Sequence, residues 1–183
     1  MYVAKFDKCR YYHKIKNHGG GNNVLRIAKF DRYDLINNPG DDKASFTLWF
    51  SGCSMGCKNC HNPVLQSKDK GGEYDIKAVL FTVCHECTKQ DIDTVVLLGG
   101  EPLEQPFDDL NLLLNKLHTY GYKIWLYTGW EFENIPEQIK NNLYTIKCGP
   151  YVDELKCDGF PSSTNQRVFR KINNTWQQIS IGG

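Results

Sequence analysis

The sequence predicts an α/β fold with a mainly parallel sheet. Strand-like segments alternate along the chain with segments whose apolar residues recur at helical spacing. The joints between these segments are short, which favours right-handed strand–helix–strand units and parallel neighbours in one sheet. At 183 residues, of which 40% are hydrophobic, the chain can bury a core without disulfide support. We therefore expect residues 24–183 to form one domain, preceded by a flexible extension over residues 1–23.

The elements follow from their apolar patterns. Residues 44–50 alternate apolar and other side chains, as expected for a strand. Residues 74–90 place apolar side chains on one face of a helix. The same patterns predict strands at 93–98, 123–127, 143–147 and 167–172, and helices at 108–120 and from Pro136. Gly121 follows the second long helix, at a position where glycine commonly ends a helix. Residues 27–32 repeat the pattern of residues 3–8, which allows two similar strands.

Cysteines outside the first loop leave two interpretations open. Cys84 and Cys87 lie on the apolar face of the first predicted helix, where a thiol behaves as a small hydrophobe. Together with Cys148 and Cys157, they could instead bind a second metal.

Composition excludes several classes of protein. The net charge is only +1, which argues against a nucleic-acid partner. No apolar run is long enough to cross a membrane, and the N-terminus carries charges where a signal peptide is apolar. We expect a cytoplasmic protein without a membrane partner, whose eight cysteines stay reduced unless they bind something.

Three loops of unusual composition follow the first three predicted strands. One holds Cys53, Cys57 and Cys60, the next is Gly99-Gly100-Glu101-Pro102, and the third begins Thr128-Gly129. Because the carboxyl ends of parallel strands share one edge of a sheet, where ligands bind, the three loops predict a single site.

The cysteine spacing, C-x3-C-x2-C, indicates an iron–sulfur cluster. Thiolates suit zinc or iron–sulfur clusters, but a structural zinc site needs four ligands. The fourth candidate here, His61, directly follows Cys60, and consecutive residues rarely reach the same ion. A cubane cluster offers each cysteine its own iron and leaves the fourth iron open to a chelating ligand.

Several segments together resemble the activating enzymes of anaerobic (class III) ribonucleotide reductase, in the radical S-adenosylmethionine (SAM) superfamily. The likeness runs through residues 25–172 and rests on SGCSMGCKNCHNP, GGEP, KIWLYTGW, Gly149-Pro150-Tyr151 and SSTNQRVF. It implies a partial (βα) barrel with a 4Fe-4S cluster on Cys53, Cys57 and Cys60. It also implies SAM contacts from Asn59, His61, Gly99, Gly100, Glu101 and Thr128. No catalytic side chain is expected, because the cofactors carry the chemistry.

The resemblance implies that SAM is cleaved reductively and that a glycine of the reductase large subunit becomes a stored radical. An external electron donor, such as a flavodoxin or ferredoxin, is a further expected partner, and a homodimer is left open. Two alternatives remain: a radical SAM enzyme acting on a small molecule, like a deazapurine synthase, and a non-catalytic zinc or iron–sulfur module. His61 either contacts adenosine or lies exposed, and Asn165-Gln166-Arg167 contributes either to the SAM site or to a partner contact.

Overall fold

The computed structural model describes residues 23–41 and 43–181. The sheet contains β1 (Val24–Asp34), β2 (Ser45–Phe50), β3 (Gly72–Asp75), β4 (Thr94–Gly99), β5 (Lys123–Tyr127), β6 (Thr145–Cys148), β7 (Arg167–Ile172) and β8 (Thr175–Ile179). The helices are α1 (Ile76–Lys89), α2 (Phe107–Thr119) and α3 (Glu137–Lys140). The predicted extension over residues 1–23 lies, apart from Asn23, outside the described residues. None of the described helices is long and apolar enough to cross a membrane.

The strands form one open sheet in the order β3-β1-β2-β4-β5-β6-β7-β8. The four central strands, β2, β4, β5 and β6, are parallel neighbours. Antiparallel strands extend the sheet on both sides, with β1 and β3 at one edge and β7 and β8 at the other. The predicted α/β class is confirmed, and its parallel part is the centre of the sheet.

The outer face of the sheet packs against α1 and α2. Both helices turn one apolar stripe inward, through Val79, Leu80, Val83, Leu110, Leu113, Leu114 and Leu117, all buried. Asp75 begins α1, where its carboxylate accepts hydrogen bonds from the backbone N–H groups of Lys77 and Ala78. Gly121 follows α2 with a φ of +84°, in the left-handed region, which confirms the predicted helix end.

The inner face of the sheet carries a second apolar cluster of Val96, Leu98 and Trp125. Residues 37–41 cover its lower part. The indole N–H of Trp125 donates to Asp41 Oδ2 at 3.1 Å, and the hydroxyl of Tyr127 donates to the carbonyl of Asn37 at 2.9 Å. The segment therefore packs on the inner face, where Asn37 also lines an open cavity together with residues at the carboxyl ends of the parallel strands.

The four remaining cysteines lie in different elements, which favours the packing interpretation over a second metal site. Cys84 and Cys87 lie on α1 and Cys148 lies on β6, and all three are buried within the main apolar core. Cys157 is half-buried in the loop after β6, where its thiol donates to the carbonyl of Pro161 at 3.2 Å.

Replacing both helix cysteines, Cys84→Ala with Cys87→Ala, should leave the iron content of the reconstituted protein at about four atoms per chain. The expected cost is about 1 kcal/mol of unfolding free energy per site, because each change removes one buried sulfur atom. Iron and sulfide assays with urea unfolding test both points. A large loss of iron in a folded double variant would restore the second metal site.

Candidate active site

The cysteine loop leaves β2 and curls through three residues in the left-handed region of φ. These are Gly52, Gly56 and Asn59, at +95°, +60° and +52°. Glycine adopts such angles without strain, and asparagine tolerates them better than most residues. As a result, Cys53, Cys57 and Cys60 all line one cavity of about 250 Å³.

The Gly99-Gly100 turn joins the base of the cysteine loop. The backbone N–H of Gly100 donates to the Phe50 carbonyl at 2.9 Å, and that of Glu101 donates to the Gly52 carbonyl at 2.8 Å. A Cβ on Gly100 would lie 2.4 Å from the Gly52 carbonyl oxygen, far inside van der Waals contact. The glycine is thus required for this close approach of two backbones.

Glu104 adds a second connection between the two loops. Its carboxylate accepts two hydrogen bonds from the backbone N–H of Ser54, at 2.9 and 3.0 Å, and one from the Ser54 hydroxyl at 2.6 Å. Ser54 directly follows Cys53, so the residues after GGEP hold the first cysteine in position.

Glu101 lies at the base of the cavity with only 1% of its surface exposed. Its carboxylate accepts from the Leu103 N–H at 3.0 Å, the Gly129 N–H at 2.8 Å and the Thr128 hydroxyl at 2.8 Å. Burial nevertheless raises the pKa of Glu101 to about 7, since these hydrogen bonds only partly offset the loss of water. Thr128 in turn accepts from the Trp130 N–H at 3.0 Å and so fixes the carboxylate.

The three predicted loops do meet at one site. Eight of the nine predicted site residues line the cavity: Cys53, Cys57, Cys60, His61, Gly99, Gly100, Glu101 and Thr128. Asn59 does not line it, because its side-chain amide donates to Asp153 Oδ2 at 2.7 Å, on the loop after β6. His61 packs against the ring of Tyr151, with centroids 4.8 Å apart.

Several cavity residues were absent from the prediction. Trp49, Leu98, Tyr127 and Lys147 form one row across the parallel strands, because Trp49 pairs with Leu98 and Tyr127 pairs with Lys147. All four line the cavity. Gln166, which the sequence assigned either to the SAM site or to a partner contact, lines it as well. Burial lowers the pKa of Lys147 to about 8. The signal was available in the register of the parallel strands, since each member of the row is the last or next-to-last residue of its strand.

The cysteine arrangement fits a cubane cluster better than a single ion. In the described part of the chain, the three cysteines are not grouped tightly enough to hold one ion, whereas the thiolates around a cubane cluster stand farther apart. Burial raises the pKa of the Cys53 thiol to about 11, so the thiol stays protonated at neutral pH until a metal displaces the proton.

Comparison with known proteins gives one family match and several similar proteins. The family model described as a 4Fe-4S single cluster domain matches residues 37–169. The anaerobic ribonucleoside-triphosphate reductase-activating protein of Enterobacteria phage T4 is 27% identical over 149 residues, covering 79% of this chain and 93% of that protein. The 7-carboxy-7-deazaguanine synthase of Methanopyrus kandleri is 24% identical over 148 residues, covering 67% of this chain and 59% of that protein. The crystal structure of QueE from Escherichia coli has a TM-score of 0.48 at 16% identity, over 74% of this chain and 66% of that one.

A three-cysteine loop beside a glycine-glycine-glutamate turn, at the carboxyl edge of a parallel α/β sheet, defines a radical SAM enzyme, with a 4Fe-4S cluster and SAM as cofactors. The chain belongs to the 4Fe-4S single cluster domain family, whose model matches most of its length.

We expect Gly100→Ala to destabilise the protein by about 3 kcal/mol or more, because the new methyl group meets two backbone carbonyls that cannot move independently. Gly121→Ala is the control: its Cβ meets no atom within 4 Å, and its φ of +84° costs about 1 kcal/mol. Urea unfolding of the metal-free variants measures both. Equal losses would contradict the required backbone approach.

The buried Glu101 should make the metal-free protein less stable as the pH rises. Because its pKa is about 7 when folded, against 4.5 as the ordinary value, the folded state holds a proton that the unfolded chain releases. The contribution of this proton to the free energy of unfolding is complete below pH 4.5. It falls by about 3 kcal/mol as the pH rises to about 7. Urea unfolding of the wild type and of Glu101→Gln across this range measures the effect. A stability difference that stays constant with pH would contradict it.

Proposed function

We propose that this protein is the activating enzyme of an anaerobic ribonucleotide reductase and generates a glycyl radical in that protein. The observation that carries the proposal is the single cavity that joins the three cysteines to the Gly99-Gly100-Glu101 turn. The reductase-activating relative supports the substrate, because the alignment covers 93% of it. Residues 24–183 form the radical SAM domain in this proposal.

Cys53, Cys57 and Cys60 are the proposed ligands of the 4Fe-4S cluster. When bound, the reduced cluster and SAM together supply a 5′-deoxyadenosyl radical, which takes a hydrogen atom from the glycine Cα. The chain itself binds and orients these groups and excludes water from them. Its loop after β6 contributes to that exclusion, since Tyr151 and Phe160 line the cavity beside the cysteines.

The Gly99-Gly100-Glu101 turn is the proposed site for the amino group of SAM. The ionised carboxylate of Glu101 accepts hydrogen bonds from the ammonium, and the absence of side chains on the glycines leaves room for the ligand. Thr128 acts mainly on Glu101, to which it donates at 2.8 Å. An incoming ammonium favours the ionised carboxylate, so SAM binding lowers the raised pKa of Glu101.

Asn59 and His61 have different proposed roles. Asn59 positions the cysteine loop through Asp153, rather than contacting SAM with its side chain. His61 lines the cavity and stays a candidate contact of the adenosine, held in place by the Tyr151 ring.

The proposed partners are the reductase large subunit and an external one-electron donor of the flavodoxin or ferredoxin type. The proposed location is the cytoplasm, where thiols stay reduced. A homodimer is a further proposal, and the elution volume of the purified protein tests it.

The second candidate is a radical SAM enzyme that acts on a small molecule. The 7-carboxy-7-deazaguanine synthase relative supports it, although the chain spans only 59% of that protein's length. A non-catalytic zinc module is less well supported, because it gives no role to a buried glutamate against the cysteine loop.

We expect Cys57→Ala to lose the brown iron–sulfur chromophore, SAM cleavage and radical formation together, because a cluster held by two cysteines is labile. Cys157→Ala is the matched control, since this thiol contacts the Pro161 carbonyl outside the cavity. Anaerobically reconstituted proteins are reduced with dithionite, given SAM and the reductase, and examined by electron paramagnetic resonance.

The wild type should produce a glycyl radical signal on the reductase. A wild-type protein that cleaves SAM but leaves the reductase without this signal would exclude the activase and favour the small-molecule enzyme. A colourless protein that binds zinc and cleaves no SAM would exclude both enzymes and support the non-catalytic module.

A further inference from the structure

Three polar groups in the cavity have unused hydrogen-bonding capacity. The side chain of Gln166 is buried, with 6% of its surface exposed, and its Oε1 has no hydrogen-bond partner among the described residues. The indole N–H of Trp49 is also buried and has none there. The side chains of Gln166, Trp49 and Lys147 all line the cavity.

Lys147 brings a positive charge to the same cavity. Its ammonium lies 5.8 Å from the ring centroid of Tyr127, its neighbour across the parallel strands. Within the described chain, no carboxylate or other acceptor pairs with that ammonium by hydrogen bond or ion pair. Lys147 is half-buried, so its ammonium has lost part of its water without gaining an acceptor, and an acceptor supplied by a ligand would bind favourably.

Gln166 lies next to Lys147 because β6, the last of the parallel strands, pairs with the antiparallel β7. Val168 of β7 pairs with Lys147, and the chain just before β7 passes Gly149. The side-chain amide of Gln166 donates to the Gly149 carbonyl at 2.9 Å, which fixes the orientation of the group and leaves its Oε1 as the acceptor.

The combination of one donor and one acceptor selects the class of ligand. Lys147 lies on β6 and Gln166 directly precedes the neighbouring β7, whereas Trp49 of β2 lies three strands from Lys147 and is not part of this pair. A carboxylate would satisfy Lys147, but Gln166 Oε1 would repel it. A peptide group is neutral and offers a carbonyl oxygen and an N–H together. It therefore provides a partner for both groups.

We propose that Lys147 and Gln166 form a subsite for the peptide main chain of the protein substrate. Lys147 Nζ donates to a backbone carbonyl oxygen, and Gln166 Oε1 accepts from a backbone N–H. The subsite rests on the proposed function and deepens it, since it recognises an extended segment by its backbone. Such recognition suits a glycine, which has no side chain for a pocket to read.

The experiment uses the reconstituted protein with SAM bound and a short fluorescent peptide that spans the radical glycine of the reductase. Anisotropy titrations compare the wild type with Lys147→Met, Gln166→Leu and the control Lys89→Met, an exposed lysine at the end of α1. Lys147→Met should weaken peptide binding about 10-fold or more, because it removes a charged hydrogen bond. Lys89→Met should bind like the wild type.

Peptides methylated at one backbone nitrogen at a time test the acceptor. In the wild type, one of these methyl groups should weaken binding about fivefold, the order expected for one neutral hydrogen bond. In Gln166→Leu the same methyl group should cause no further loss. A general structural effect of the substitution would instead leave the effect of methylation intact, and that result would overturn the role of Gln166.

Titration with SAM alone separates the subsite from the SAM site. The loss of peptide affinity in Lys147→Met and Gln166→Leu should exceed any loss of SAM affinity about tenfold. Equal losses would assign the groups to SAM and overturn the proposal. Wild-type affinity for the peptide in both variants would do the same.

The whole reductase distinguishes failure of the subsite from failure of the function. If the wild type forms a glycyl radical and both variants still bind the peptide normally, only the subsite is wrong. If the wild type cleaves SAM but neither binds the peptide nor forms the radical, the activase function fails, and the subsite fails with it.

Discussion

The site depends on the contact between two backbones at the ends of β2 and β4. The parallel pairing of these strands ends at Phe50 and Gly99, yet hydrogen bonding continues beyond it through Gly100 and Glu101. The cysteine loop and the GGEP turn are therefore extensions of one sheet rather than two independent loops. Glu104 strengthens this connection through Ser54. Because both loops start from a buried, rigid sheet, their relative position is set before any ligand binds.

Much of the fold was predictable because the central strands are strongly apolar. β4 is buried along nearly its whole length and reads as a continuous apolar run. The edges were harder. β1 contains two irregularities in its pairing with β2, which break the two-residue alternation that marks a strand. β3 is polar and exposed, so backbone pairing with β1 forms it without any apolar signal.

The site was predicted at the level of loops but not of inner side chains. Cysteines and glycine pairs are conspicuous in a sequence, whereas Lys147 looks like an ordinary charged residue of a strand. Its position in the cavity follows from the side of the sheet on which it lies, and that depends on register. Asn59 is a second example: the family resemblance implies a SAM contact there, and its side-chain amide donates to Asp153, which lies 94 residues away in the chain. Long-range partners of this kind leave no local pattern.

The segment on the inner face of the sheet has a consequence for the choice of substrate. Residues 37–41 are hydrogen-bonded to Trp125 and Tyr127, and Asn37 lines the cavity. This part of the cavity wall contains none of the proposed ligands of the cluster or of SAM. Under the proposed function, sequence changes in this segment can therefore alter which substrate fits while the cofactor residues stay unchanged.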